Sequence, residues 1–479
     1  MQDVTSGHDI RDQRATNLER LAELGFRPDA RRFARTASLG EIRDGFEEGV
    51  SVAAAGRLVS RREMGKSVFA HLQDASGRFQ IYAKKNELGD EAFQALKILD
   101  LGDQVGVEGA LFTTRTGEPS IHITSWTLLS KALRPLPEKW HGLQDADTRY
   151  RQRYLDLIAN ESTRDVFRLR SRILREIRMF LWDRGFTEVE TPMIQSQAGG
   201  AAATPFRTRY EALGADMVLR IAPELYLKRL LVGGFDRVFE LNRNFRNEGL
   251  SRNHNPEFTM LEVYEAYGDV QTMKDLVQDL VSTVCERVLG TLQAGTEETP
   301  IDLTPPWREV PYKDLVCEVA GADWFDLTLE DARARASELG VHVDDAWGSV
   351  ELTQEVFEKT IEKTLVQPTF VTRLPVELVP LARTCEDDPS LVDVFELIIG
   401  GAEIAPGYTE LNDPVEQRKR FEEQAAGDAG KVDEEFLTAL EHGMPPAGGM
   451  GIGVDRLIMV LAGIEAIRDV ILFPQLKPR

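Results

Sequence analysis

Cysteine is scarce in this chain of 479 residues: Cys285, Cys317 and Cys385 are the three present, they lie far apart, and they form no CxxC pair. That usage excludes a disulfide framework and a zinc knuckle and points to a reducing, cytoplasmic setting. Long apolar runs are missing as well. None approaches the roughly 20 residues that a membrane-spanning helix needs. Met1–Arg14 is polar without an apolar stretch, so a secretory leader is not expected. The common nucleotide and hydrolase signatures are also absent. Glycines 448–453 do not fit GxGxxG and lack the following strand and acidic residue. Gly65-Lys66-Ser67 resembles the end of a P-loop, but position 60 is serine where that motif requires glycine, and there is no HExxH or GxSxG. Internal repeats and low-complexity tracts are not found. What remains is an ordinary globular composition, 42% apolar and 28% charged, long enough for two or three domains.

A formal charge of −22 argues against a nucleic-acid partner when taken as a whole, but the charge is unevenly placed. Residues 1–140 hold 20 basic and 20 acidic side chains, and residues 141–270 hold 19 of each; residues 271–479 hold 18 basic and 40 acidic, which is the whole deficit. The first half is neutral and can carry a basic face toward phosphate.

Residues 1–49 read as a helical extension. Leu18, Leu21, Ala22 and Leu24 recur at helical spacing up to Gly25, and Arg27, Arg31, Arg32 and Arg35 follow as a solvated flank or, alternatively, a phosphate-facing patch. Residues 50–137 read as all-β. Alternating runs at Val50–Val59, Ser67–Gln73, Gly77–Ala83, Gln104–Phe112 and Ser120–Leu129, with a helix at Asp90–Leu96, predict a five-stranded barrel of the oligonucleotide-binding (OB) type. Such barrels stack single-stranded bases on one sheet face, for which Arg61, Arg62, Phe69 and Gln80 are candidates, Phe69 being equally readable as core. Arg134-Pro-Leu-Pro137 is a stiff linker. Residues 138–479 mix strands and helices without regular βαβ alternation, which predicts an antiparallel sheet flanked by helices. A helix is expected at Thr163–Arg184, and 305–365 reads as a helix-rich, acidic insertion. The fold class is therefore α+β.

Three elements of this second part carry chemistry. Residues 235–248 and 258–267 alternate around a polar loop, Gly249–Pro256, and so predict a hairpin with Glu240, Asn242, Asn244, Arg246 and Glu248 on one face and Phe258, Met260, Glu262 and Tyr264 on the facing strand. A sheet face so rich in Arg, Glu and Asn is a poor core; it is either solvated or the floor of a site, with Arg246 for a phosphate. A second hairpin, Val394–Leu411, turns at Gly400-Gly401. Pairing 398 with 403 and 396 with 405 makes Glu396 and Glu403 diagonal neighbours about 7–8 Å apart. Two carboxylates so placed repel one another unless a cation intervenes, and Mg²⁺ takes few protein carboxylates while sharing its shell with water and phosphate; scattered surface acids are the alternative. Pro406-Gly407 is expected to bulge the strand and re-aim Glu410. The third element, Gly448–Leu461, lets a ligand approach the backbone and then opens a helix with Arg456 at its positive end, an anion-binding arrangement. Two arginines with metal-ready carboxylates suit nucleotidyl transfer from ATP to an ionised carboxylate, which needs no general base.

These residues resemble the class II aminoacyl-tRNA synthetases, and among them the bacterial lysyl enzymes, over nearly the whole chain from about residue 50. Gly185–Pro192 is similar to the first class motif, which builds a dimer interface. Phe245-Arg-Asn-Glu248 with His254-Asn-Pro-Glu-Phe258 is similar to the second, and Gly451–Arg456 to the third. Arg134–Gly142, Ala222–Lys228 and Ile467–Pro474 resemble the lysyl branch in particular. The resemblance implies ATP and L-lysine as substrates, tRNA(Lys) as partner, a homodimer, and Mg²⁺, which shares its shell with phosphate, at about three ions per site. It implies Arg246 on the α-phosphate, Glu248 on the adenine amino group, His254 near the γ-phosphate with Asn255 beside it, Phe258 stacked on adenine, and Arg456 on the γ-phosphate. Arg246 and Arg456 are the implied catalytic pair. Glu396, also a contact to ATP, and Glu403 would hold Mg²⁺; Glu262, Tyr264 and Glu410 would receive the substrate ε-ammonium, with Glu224 and Gly200 at the α-amino end and Tyr408 as a further lysine contact. The barrel would bind the anticodon through Arg61, Phe69 and Gln80.

The chain departs from the family at Pro406, where lysyl enzymes commonly carry Asn or a small polar residue, and at Thr204 and Ala402, where arginine is usual. Proline offers no donor to a substrate carboxylate. The alternatives are a second-copy, inhibitor-tolerant or altered-preference paralogue that aminoacylates a non-tRNA acceptor, and a synthetase-like binding protein, which should have lost Arg246 or Arg456.

Overall fold

The computed structural model describes residues 4–28, 31–137, 143–201, 203–425 and 432–478. Residues 138–142 of the lysyl-like stretch, and Met1–Asp3, lie outside the described residues. The chain divides into two units, 1–144 and 145–479.

In the first unit helix α1 (Val4–Glu23) begins well before the apolar repeat that starts at Leu18 and buries Leu21 against the barrel core. Strands β1 (Ser51–Met64), β2 (Ser67–Gln73) and β3 (Arg78–Lys84), helix α2 (Asp90–Ile98), and strands β4 (Gln104–Thr113) and β5 (Pro119–Ser130) follow. The strands close into a barrel in the order β1-β2-β3-β5-β4. Alternation supplies the reason: Val68, Ala70 and Leu72 of β2 point inward with Phe79, Ile81 and Ala83 of β3 and Ile121 and Ile123 of β5. β1 runs beyond the predicted Val59 because its register with β2 shifts between Leu58 and Ser60. The bulge buries Leu58 and Val59 in succession and breaks the alternation that sequence reading follows.

The second unit is built on an eight-stranded sheet. Helix α3 (Glu161–Asp183) precedes β6 (Thr187–Glu188), and α4 (Glu224–Val232) precedes the hairpin β7 (Arg237–Phe245) and β8 (Glu257–Ala266). Then come α5 (Val270–Leu289), β9 (Arg308–Pro311), the helices α6 (Tyr312–Ala320), α7 (Leu329–Glu338) and α8 (Ser349–Val356), β10 (Thr369–Thr372), β11 (Val394–Ile399), β12 (Ala402–Thr409), β13 (Ala447–Gly453) and α9 (Val454–Ala462). The sheet order is β9-β10-β11-β12-β13-β8-β7-β6, antiparallel except for the parallel pairs at its two edges. One face packs on α3, α5 and α9 through residues such as Ile177, Phe180, Val281, Phe239, Leu261, Phe395 and Ile458. Phe239, Leu261 and Phe395 alternate with the polar residues of the opposite face, which is what lets one strand serve both a core and a site.

The expected insertion at 305–365 is corrected in part. Its first residues form β9, which pairs with β10 at the sheet edge, and its helices pack on that end of the sheet over Val371, Val394 and Ile398. The segment is a crossover between parallel strands; β9 has four residues, too few to show a period in sequence.

Candidate active site

The floor of the site is the polar face of β7, β8, β13, β12 and β11. Register places Glu240 opposite Glu262, Asn242 opposite Met260 and Asn244 opposite Phe258. Gly451 faces Glu262, and Gly449 lies between Tyr264 and Tyr408. The glycines are demanded sterically: a Cβ on Gly449 would sit 1.9 Å from Oε1 of Glu410 and 2.5 Å from the Tyr264 ring, and one on Gly451 would meet the Met260 methyl at 2.5 Å. The second hairpin turns at Gly400-Gly401 as expected, both with positive φ, and pairs Ile398 with Glu403. The bulge, however, falls between Glu403 and Ala405 and not at Pro406-Gly407, so Glu396 pairs with Pro406 and not with Ala405. Glu396 and Glu403 still share a face, and Glu410 lies just beyond the end of β12.

A cavity of about 180 Å³ gathers Arg246, Glu248, His254, Asn255, Phe258, Glu403, Pro406 and Arg456. The Arg246 guanidinium carbon lies 5.2 Å from the centroid of the Phe258 ring, and its buried Nε has no acceptor among the described residues. Across the cavity Arg456 donates to the Glu403 carbonyl at 2.7 Å and to His254 Nε2 at 3.1 Å. A guanidinium can only donate, so this nitrogen of His254 is unprotonated. Burial and then Arg456 hold the His254 pKa below its ordinary value, consistent with a neutral ring. Asn255 lines the cavity and also pins the loop: Nδ2 donates to the Glu257 carbonyl at 2.6 Å, and Oδ1 accepts from the Gln475 backbone at 3.2 Å, which leaves one N–H and one lone pair of its amide uncommitted by these bonds. Arg456 is itself positioned from behind. Asp455 accepts from Arg170 at 2.5 Å and from the Thr259 backbone at 2.7 Å, tying α9 to α3 and β8.

Glu396 lies outside that cavity, half-buried. Burial and then the acids Glu403, Glu362 and Glu358 push its pKa well above the carboxylate range. Glu362 also accepts the Glu403 backbone N–H at 3.0 Å. Acids crowded in this way, with no cation among the groups that set that shift, fit a divalent ion. Among the described residues no three His, Cys, Asp or Glu are arranged to hold a metal by themselves.

A second cavity, about 850 Å³, takes in Gly200, Glu224 and Tyr408. The remaining amino-acid candidates line neither cavity: Glu262, Tyr264 and Glu410 are buried along the same sheet face. Tyr264 donates to Glu262 at 3.0 Å, and Tyr408 to Glu224 at 2.6 Å. Burial, then Glu224, pushes the Glu262 pKa well up; burial and its neighbours push the Glu410 pKa to about 8, although Lys228, 2.5 Å from it, pulls the other way.

Over residues 145–477 the chain matches the family model described as tRNA synthetases class II (D, K and N), and over 52–129 the one described as an OB-fold nucleic acid binding domain. The chain belongs to the class II tRNA synthetases. Among curated relatives of this synthetase, the lysine–tRNA ligase of Carboxydothermus hydrogenoformans is 51% identical over 97% of both chains. That of Syntrophomonas wolfei is 51% identical over 98% of both, and that of Sodalis glossinidius 52% identical over 90% of this chain and 87% of its own.

On the synthetase's barrel, Phe69 and Gln80 share the outer face, as expected, with Arg62, Tyr82 and His122. Phe69 lies 4.6 Å from Tyr82, which is 5.4 Å from Phe112 and 5.2 Å from His122, all between ring centroids. Gln80 is buried and accepts from Ser120 at 2.8 Å. Arg61 is a correction. It pairs with inward-facing Ala70, and its guanidinium donates to the carbonyls of Leu96 and Leu99 at the end of α2, so it is tied to the barrel and does not lie on that face. The bulge after Leu58 moves it to the other side. Sequence reasoning also misses Lys228, Arg170 and the buried Arg220–Glu240 pair at 2.6 Å. Lys228 and Asp455 fall within stretches that resemble the family, but the sequence gives neither residue a role.

Proposed function

We propose that the chain is a lysine–tRNA ligase: it activates L-lysine with ATP to lysyl-adenylate and pyrophosphate, then passes lysine to the 3′ end of tRNA(Lys). The observation that carries this is the cavity that Arg246, over the Phe258 ring and with a buried N–H unpartnered among the described residues, shares with Arg456. Arg246 holds the α-phosphate, Phe258 stacks on adenine with Glu248 at its amino group, and Arg456, oriented by neutral His254, receives the outer phosphates. An oxygen of the lysine carboxylate attacks the α-phosphorus, the bond to the β-phosphate oxygen breaks, and pyrophosphate leaves with that electron pair. Preorganised guanidinium groups offset charge that develops at phosphorus and on the leaving group. Glu396 and Glu403 would hold Mg²⁺, which when bound supplies further neutralisation of phosphate charge. In the second step a ribose hydroxyl of the tRNA attacks the lysyl carbonyl and AMP leaves.

Glu224, Glu262, Tyr264, Tyr408 and Glu410, beside Gly200, select the amino acid. An uncharged competitor leaves buried acids unpaired, which a site penalises heavily. The outer face of the barrel around Phe69 takes the anticodon, and two chains pair as a homodimer. Full-length similarity that includes the barrel gives the non-tRNA acceptor no support. Retention of both arginines speaks against a non-enzymatic relative. ATP–pyrophosphate exchange across the amino acids, followed by charging of tRNA, tests the proposal. Lysine-dependent exchange and charging of tRNA(Lys) are the expected results; exchange that ignores lysine overturns it.

A further inference from the structure

Lys228 lies one helical turn after Glu224 on α4 and is fully buried. Its Nζ is 2.8 Å from Glu224 Oε1 and 2.5 Å from Glu410 Oε2, and 5.5 Å from the centroid of the Tyr408 ring. Tyr408 donates to the same Glu224 oxygen. Each of the two carboxylates is therefore held through one oxygen. The other oxygen of Glu410, Oε1, has no donor among the described residues and lies against the bare backbone of Gly449. An ammonium withdrawn from water in this way is costly unless its partners are fixed around it.

The charge on this face can be counted. Among the described residues no arginine forms an ion pair with Glu224 from α4, Glu262 from β8 or Glu410 after β12, while Glu240 of β7 is closed by Arg220. Tyr264 and Tyr408 face the same group, and burial keeps both phenols protonated. Arg246 approaches Glu262 from the phosphate side. When all three carboxylates are ionised, they and the one ammonium sum to −2, and a free diamino acid, which brings two ammonium groups, favours that ionised state.

On the lysine reading of the site, we propose that Lys228 is a specificity-determining counter-charge: it cancels one of three buried acids, so that the charge left matches two substrate ammonium groups, and it turns Glu224 and Glu410 toward them. It touches no reacting atom and acts as a positioning residue. The same ammonium draws the Glu410 proton off at lower pH than burial alone would allow.

The test is lysine-dependent ATP–pyrophosphate exchange from about pH 6 to 9, with kcat, lysine KM and ATP KM separated. The full-length wild type is compared with Lys228→Met, Glu410→Gln and the double variant. Each single substitution should raise lysine KM roughly tenfold or more and leave ATP KM nearly unchanged. In Lys228→Met the acid limb of kcat/KM for lysine should move to higher pH, because Glu410 has lost its ammonium. The double variant again carries two uncancelled acids, so its lysine KM should lie below that of either single variant. A double variant that is unfolded, or whose loss equals the product of the single losses, overturns the counter-charge. So does a Lys228→Met enzyme with unchanged lysine KM and acid limb. A wild type without lysine-dependent exchange defeats the underlying reading; lysine-dependent exchange with multiplicative losses defeats this inference alone.

Discussion

Arg246 and Glu410 show how one sheet face produces two different electrostatic environments. The first is a permanent cation with an unused buried N–H; the second is an acid whose pKa burial has pushed to about 8. Replacing Arg246 with Ala should cut the exchange rate about 10²–10³-fold, the usual loss for one preorganised donor at a developing charge, with an unchanged thermal transition. Substrate pH profiles should separate. Glu410 must be ionised to receive an ammonium, so kcat/KM for lysine should rise with pH toward about 8. The profile for ATP should stay flat over that range, because burial and Arg456 keep His254 neutral below its ordinary titration. Profiles of the two substrates, each with the other saturating, check this. Arg246 and Glu262 are legible in sequence because charged residues alternating with Phe and Leu are rare in a core. Lys228 is not. Four residues after Glu224 it has the spacing of a solvated helix pair, and only tertiary packing buries it.

At the scale of elements, period-2 alternation reveals β7 and β8, and the paired glycines reveal the β11–β12 turn. What sequence cannot show is one extra residue. The bulge at Ile404 moves Glu396 from Ala405 to Pro406, and the bulge after Leu58 turns Arg61 inward. No composition signal marks either site. Two substitutions probe these strands. Gly449→Ala puts a methyl group against Glu410 and Tyr264; overpacking of this kind costs about 1–3 kcal/mol, and steady-state kinetics should show it in lysine KM more than in ATP KM. Pro406 lines the phosphate-side cavity without a donor, so Pro406→Asn should lower lysine KM; an unchanged value would mean that the carboxylate is held elsewhere.

Across the whole molecule, the two units keep separate cores and, in the proposed function, separate tasks. Phe69→Ala removes one ring from the Phe69–Tyr82–Phe112 surface. Loss of one base–aromatic stack should lower kcat/KM for tRNA about 5- to 150-fold while leaving lysine-dependent exchange intact. Arg61→Ala should behave oppositely. It frees the Leu96 and Leu99 carbonyls and should lower the stability of the barrel by about 1–3 kcal/mol, read as a shifted unfolding transition. The stiff linker read at Arg134–Pro137 lies a few residues before the division between the units at 144. The edge strand β9 and the crossover helices that follow it are not legible in sequence, since their burial depends on strands far along the chain.

The glycine run of β13 has a further consequence. Where it lines the floor there is no rotamer to swing aside, so an inhibitor reaching that depth meets amide planes fixed by the hydrogen bonds of two neighbouring strands. Escape by mutation there can only add carbon, and added carbon at 449 or 451 crowds Glu410, Tyr264 and Met260, the first two of which admit the natural amino acid in the proposed function. Resistance at this spot would therefore cost the cell protein synthesis, which makes the barest stretch of the chain the hardest to alter.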